Sequence, residues 1–123
     1  MTMILLVEDD EDSRDSLERR RRLKGFEVAE AVDGDQAVAA ATASAPDLIL
    51  MDMSLPGLTG WDATRQIRAT EAGDRVPIIA LTAHVTSGDR DEAFLAGCDA
   101  FVTKPVDLAN LLTQIASLLK PKV

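Results

Sequence analysis

Five apolar runs of strand length, each followed by a stretch fit for a helix, predict an α/β domain: a doubly wound five-stranded parallel sheet in the order 2-1-3-4-5. Three observations carry this. Met3 to Val7 and Leu48 to Met51 are apolar without alternation, as in strands buried on both faces. Helical stretches separate the runs, and parallel strands need such crossovers. Glycine and proline punctuate the joins, at Gly25, Pro46, Gly57 and Gly97. Right-handed crossovers leave few topologies, of which this order is the commonest for five βα units.

In chain order, Met3 to Val7 ends in five acids, Glu8 to Asp12, and Asp12 or Ser13 can cap a helix running to about Lys24, where Gly25 stops it. Phe26 to Val32 is the second strand and Asp33-Gly34 its turn. Asp35 to Ala45 is an Ala-rich helix that Pro46 terminates. Leu48 to Met51 is the third strand. It stops at Asp52, and Pro56, Gly57 and Gly60 force a loop before a helix from about Trp61 to Thr70. Val76 to Leu81 is the fourth strand, with Pro77 tolerable at its start. After a loop from Thr82 to Gly88, Asp89 to Ala96 is a short helix. Asp99 to Thr103 is the last strand, ended by Lys104-Pro105. From Asp107 as N-cap, Leu108, Leu111, Leu112, Ile115, Leu118 and Leu119 line one face of a fifth helix.

At 123 residues the chain is expected to be one domain, residues 1–123. Its 46% hydrophobic and 28% charged content is globular, and no apolar run is long enough to span a membrane. The net charge of -8 opposes direct nucleic-acid binding. The first residues lack the basic leader of a signal peptide, and Cys98, the one cysteine, fits a reducing cytoplasm. The chain starts at Met1 and ends just beyond the fifth helix, so a freestanding domain without an output domain is the expectation.

In a sheet of this order, sites form outside the carboxyl ends of the strands, where the winding reverses between strands 1 and 3. That brings Glu8 and Asp9 beside Asp52, with Thr82 and Lys104 on the same rim. Two unit charges ~5 Å apart at an effective dielectric of ~20 repel by ~3 kcal/mol, so such a cluster calls for cations. Oxygen donors of this kind suit a hard divalent ion, above all Mg²⁺. Cation, ammonium, hydroxyl and carboxylate together form a site for a phosphoryl group, with Asp52 as nucleophile and acceptor of an acyl phosphate.

The set Val-Glu-Asp-Asp at strand 1, Leu-Met-Asp-Met-Ser-Leu-Pro-Gly at strand 3, Ala-Leu-Thr-Ala at strand 4 and Phe-Val-Thr-Lys-Pro at strand 5 resembles the receiver domain of two-component response regulators, a flavodoxin-like (βα)5 fold. The resemblance covers essentially the whole chain. It implies a phosphoacceptor rather than an enzyme acting on a separate substrate, with self-phosphorylation and autodephosphorylation chemistry. Asp52 would take a phosphoryl group from a phosphohistidine on a histidine kinase or phosphotransfer domain. Magnesium would be held by Asp9 directly, by Glu8 through water, by Asp52 and by the Ser54 carbonyl. Thr82 and the Ala83 amide would contact the phosphoryl group, and Lys104 would pair with it. The Lys104-Pro105 bond is expected to be cis. Phe101 stands at the family's aromatic switch position, where packing alone is the competing reading. Ser54 and His84 stand where dephosphorylation rate is tuned, and a solvated loop histidine is the alternative for His84. Phosphorylation would alter the surface of the fourth helix, fifth strand and fifth helix for a downstream protein partner.

Other readings remain beside it. An excised receiver of a hybrid histidine kinase is one, and the Ala-Leu-Thr-Ala-His loop resembles theirs. An aspartyl-phosphate phosphatase would want a second acid two residues after its nucleophile, where Ser54 stands. A degenerate scaffold is disfavoured by the full acid, Thr and Lys set. In the first helix Leu17 and Leu23 are six apart and at ~100° per residue do not share a face well, so this helix is expected to be the least securely packed. Arg19 to Arg22 is either a solvated face or a basic docking patch for the phosphodonor.

Overall fold

The computed structural model describes residues 2–9, 14–53, 55, 57–70, 75–82, 91, 94–104 and 106–119, with residues 14–16 and 18 described by backbone alone. Five strands, β1 (Met3–Val7), β2 (Glu27–Ala31), β3 (Leu48–Asp52), β4 (Ile78–Thr82) and β5 (Ala100–Thr103), form one sheet in the order β2-β1-β3-β4-β5. Every neighbouring pair is parallel. The expected order and fold class are therefore present, with strand ends shifted by one or two residues.

The two-residue period of each strand divides the core into two layers. Leu5 and Val7, Ile49 and Met51, and Ile78 and Ala80 pack on one face with Ala37 and Ala41 of α2 (Gly34–Ser44) and Ala63 and Ile67 of α3 (Gly60–Arg68). Ile4 and Leu6, Leu48 and Leu50, and Ile79 and Leu81 pack on the other with Leu23 and the helix Leu108–Leu119. Of the three inner strands, β3 and β4 are buried along their whole length and β1 along all but its first residue. This is why their sequences run apolar instead of alternating.

Capping follows the residue types. The Asp33 side chain accepts from the Gln36 amide at 2.8 Å and Thr59 from the Asp62 amide at 3.2 Å, each satisfying a donor that the first helical turn leaves open. Asp107 likewise accepts from the Asn110 amide at 3.1 Å, and the six apolar residues of the helix it starts all join the second layer. Of the helix expected over Asp89 to Ala96, Asp91 and residues 94–96 are described and are helical, and the rest lies outside the described residues. No helix among the described residues is long and apolar enough to cross a membrane.

The first helix departs from the expected picture. α1 (Arg14–Arg22) leaves Leu17 56% exposed while Leu23, just past its end, is fully buried. The inward place is taken by Arg19, which is only 2% exposed. Arg19 is thus neither solvated nor part of a surface patch, because a buried carboxylate, Glu8, binds it. Arg21 and Arg22 are exposed, and Arg20 lies between the two extremes.

Candidate functional site

The strand register decides which charged groups meet. Val7 pairs with Met51, Asp52 with Leu81, and Thr82 with Thr103, so the carboxyl ends of β1, β3, β4 and β5 finish almost level. Glu8 continues the face of Ile4 and Leu6, Asp52 that of Leu48 and Leu50, and Lys104 that of Val102. Three charges therefore leave the sheet on the side covered by α1 and the helix Leu108–Leu119. Thr82 continues the face of Ile78 and Ala80, the side on which Phe101 also packs.

Asp52 is 4% exposed. Its Oδ2 accepts from Lys104 Nζ at 2.6 Å, a span from β3 across β4 to the end of β5. The lysine is held in place by its own backbone, since the Lys104 amide donates to the Thr82 carbonyl at 2.7 Å. Thr82 lies on the strand between the two, 1% exposed. The site thus brings a carboxylate and an ammonium into direct contact, with the buried Thr82 on the strand between them turned toward the other face of the sheet.

Behind Asp52 the loop leading to α3 is tightly seated. A Cβ on Gly60 would come within 2.7 Å of the Asp52 carbonyl oxygen and 2.8 Å of Met53 Cα. Only a residue without a side chain lets α3 start so close to the end of β3. The loop is tight on its other side too, where a Cβ on Gly34 would lie 2.5 Å from the Leu58 carbonyl oxygen.

Glu8 and Asp9 diverge. Asp9 is exposed, whereas Glu8 is 2% exposed and faces two arginines. Arg19 Nη2 donates to Glu8 Oε2 at 2.5 Å and Arg20 Nε to Oε1 at 3.0 Å. Arg20 also pairs through Nη1 with Glu30 of β2. Glu8, expected to reach magnesium through water, is here engaged on both oxygens by guanidinium groups. The chain's own cations thus offset part of the repulsion among these acids.

Oxygen donors from Asp9 and Asp52 still suit a hard divalent ion. Among the described residues, however, no three acidic, histidine or cysteine side chains already converge as a metal cage. The Ser54 carbonyl, Ala83, His84 and Pro105, with its expected cis bond, lie outside the described residues. Phe101 is half-buried and packs against the first layer.

One cluster escaped sequence reasoning. At the far end of the sheet Arg68 closes α3 by donating to the Val76 carbonyl at 2.5 Å and to the Gly97 carbonyl at 2.8 and 3.0 Å, and it pairs with Asp99 at 2.8 Å. Asp99 in turn accepts from the Ile78 amide at 2.8 Å. Gly97 adopts a φ of +115° beneath the Arg68 stem, where a Cβ would lie 2.8 Å from Arg68 Cγ. The signal was faint, because most of the acceptors are backbone carbonyls that any residue could supply.

Comparison with known proteins agrees with the geometry. Residues 4–116 match the family model of the response regulator receiver domain. Over 117 residues, 95% of the chain, it is 41% identical to the transcriptional regulatory protein PrrA of Mycobacterium bovis, covering 49% of that protein. It is 37% identical over 120 residues to the sensory transduction protein RegX3 of Mycolicibacterium smegmatis, covering 98% of the chain and 51% of RegX3. The chain spans about half the length of these curated relatives. Among solved structures, the receiver domain of the sensor histidine kinase PA1611 from Pseudomonas aeruginosa, with a magnesium ion coordinated in its active-site cleft, is 43% identical with a TM-score of 0.85, covering 96% of this chain and 97% of that one. With the strand order, the Asp52–Lys104 contact and a family match over nearly its whole length, the chain belongs to the response regulator receiver domains of two-component signalling.

Proposed function

We propose that the chain is a phosphoacceptor switch in which Asp52 takes a phosphoryl group from a phosphohistidine on a histidine kinase or phosphotransfer domain. The observation that carries this reading is the 2.6 Å contact between Lys104 Nζ and Asp52 Oδ2, with Thr82 on the intervening strand. An Asp52 carboxylate oxygen forms the new O–P bond while the P–N bond of the donor breaks, and the imidazole leaves with the electron pair and gains a proton. A carboxylate nucleophile needs no general base, so the protein's work is positioning and charge neutralisation. Lys104 follows the transferred group as its counter-charge, and Thr82 donates its hydroxyl to a phosphoryl oxygen. Asp9 and Asp52, with the Ser54 carbonyl, would hold Mg²⁺, which when bound supplies further positive charge to the phosphoryl oxygens. The Ala83 amide gives another donor, and Ser54 and His84 tune loss of the group.

Thr82 has to turn from the Ile78–Ala80 face toward the phosphoryl oxygens, and that movement biases a pre-existing two-state equilibrium, with a coupling of ~1–3 kcal/mol typical of such switches. Phe101, on the same face of the neighbouring strand, repacks with it and changes the nearby surface for a downstream protein in the cytoplasm. The test is incubation with a small acyl phosphate and Mg²⁺, followed by intact mass and phosphate release. One stable phosphoryl group per chain, lost in Asp52→Asn, supports the switch. Sustained turnover of donor would instead make the chain a phosphatase, and an adduct that persists in Asp52→Asn would place the chemistry elsewhere.

A further inference from the structure

The two arginines on Glu8 are not explained by phosphoryl transfer. The Arg19 and Glu8 side chains are each 2% exposed, and their 2.5 Å contact lies one register step past the Val7–Met51 pair, on the strand next to Asp52. Arg20 holds the second Glu8 oxygen and ties it to Glu30 on β2. A buried ion pair gains little over apolar packing, while removing one partner strands the other charge, so such a pair is held firmly once formed.

We propose that Arg19 and Arg20 are positioning residues that set how tightly the notch takes a divalent cation, by competing with that cation for Glu8. The inference rests on the reading that Asp9 and Asp52 hold such an ion. A metal entering beside Asp52 meets a carboxylate on the next strand that is already neutralised, and two guanidinium groups that repel it. Binding then requires Glu8 to loosen from Arg19, or proceeds without Glu8 and against the arginine field. In either case the coupling is reciprocal: removing an arginine tightens the cation, and the cation weakens the hold of Arg19 on Glu8. This negative coupling leaves the notch less avid than its count of acids suggests.

The test is Mg²⁺ titration of the full chain by calorimetry, together with the side-chain Nε–H NMR signals of Arg19 and Arg20, with no phosphodonor present. Arg20→Gln and Arg19→Gln are expected to bind Mg²⁺ about three- to tenfold more tightly, the size of effect of one unit charge on a divalent ion across several Å of well-screened surroundings. In the wild-type protein, saturating Mg²⁺ should shift or broaden the Arg19 signal. Arg20, at 26% exposed, is the variant less dependent on core packing, and the wild-type NMR titration needs no variant at all. Affinity within twofold of wild type in the folded variants, with an Arg19 signal unmoved at saturation, overturns the proposal. Wild-type Mg²⁺ binding that is absent, or that Asp52→Asn leaves unchanged, overturns instead the reading of the site on which it rests, and the proposal falls with it.

Discussion

Replacing Gly60 with alanine tests whether the start of α3 positions Asp52. The added methyl would sit 2.6 Å from Met53 Sδ, 2.7 Å from the Asp52 carbonyl oxygen and 2.8 Å from Met53 Cα. The sulfur can swing aside, but the two backbone atoms belong to the end of β3 and the residue that pairs with Leu81 through its amide. Against this, alanine gains up to ~1 kcal/mol over glycine in a helix, less at its first position. Overpacking of a seated contact costs ~1–3 kcal/mol, so the clash wins and the net loss is ~1–2 kcal/mol. Gly25 supplies the control, because a Cβ there meets nothing within 4 Å and its φ is ordinary. Urea unfolding followed by the fluorescence of Trp61, the one tryptophan, reads both variants. Gly60→Ala should lower the midpoint and slow phosphoryl uptake by Asp52, while Gly25→Ala should be neutral or slightly stabilising. A Gly60→Ala protein as stable and as readily phosphorylated as Gly25→Ala would refute the claim that the loop is rigidly seated.

Two further expectations follow from groups away from the notch. Arg68→Met should lose ~2–4 kcal/mol in the same unfolding assay, since it strands the Val76 and Gly97 carbonyls, and Arg68→Lys should recover only part of this because one ammonium cannot reproduce the forked contact. Cys98 is pushed up to about 11 from 9.0, chiefly by burial and partly offset by its hydrogen bond with Thr64. Its folded value lies above the unfolded one, so its share of stability is complete below pH 9.0 and is lost as pH rises through about 11. The alkaline loss should be ~2–3 kcal/mol larger in wild type than in Cys98→Ala, measured by urea midpoints across that range.

The sheet was legible because a parallel strand buried on both faces leaves an unmistakable run, and Leu48 to Met51 has no polar residue in it. The last helix was legible for a similar reason: its six apolar residues all turned out to face one layer. Arg19 was not. Four consecutive arginines carry no periodic signal that singles out one, and what buries Arg19 is a carboxylate eleven positions earlier that meets it only once β1 and α1 have docked. The mismatch between Leu17 and Leu23 did mark α1 as irregular, and exposed Leu17 is its consequence. The Arg68 clamp stayed hidden because carbonyl acceptors have no residue type. Strand ends drifted by a residue or two where hydrogen bonding continues past the apolar run, as at Asp52 and Thr82.

Glu8, Asp52 and Lys104 each stand one step further along a stripe whose earlier members are core. A single-residue insertion or deletion within β1, β3 or β5 would therefore do two kinds of damage at once. It would turn that strand's interior side chains toward the opposite layer, and it would remove the charged tip from its neighbours. Variants that lose the Asp52–Lys104 contact in this way are expected to fail at folding as well, so such a change does not leave a well-folded but inert copy.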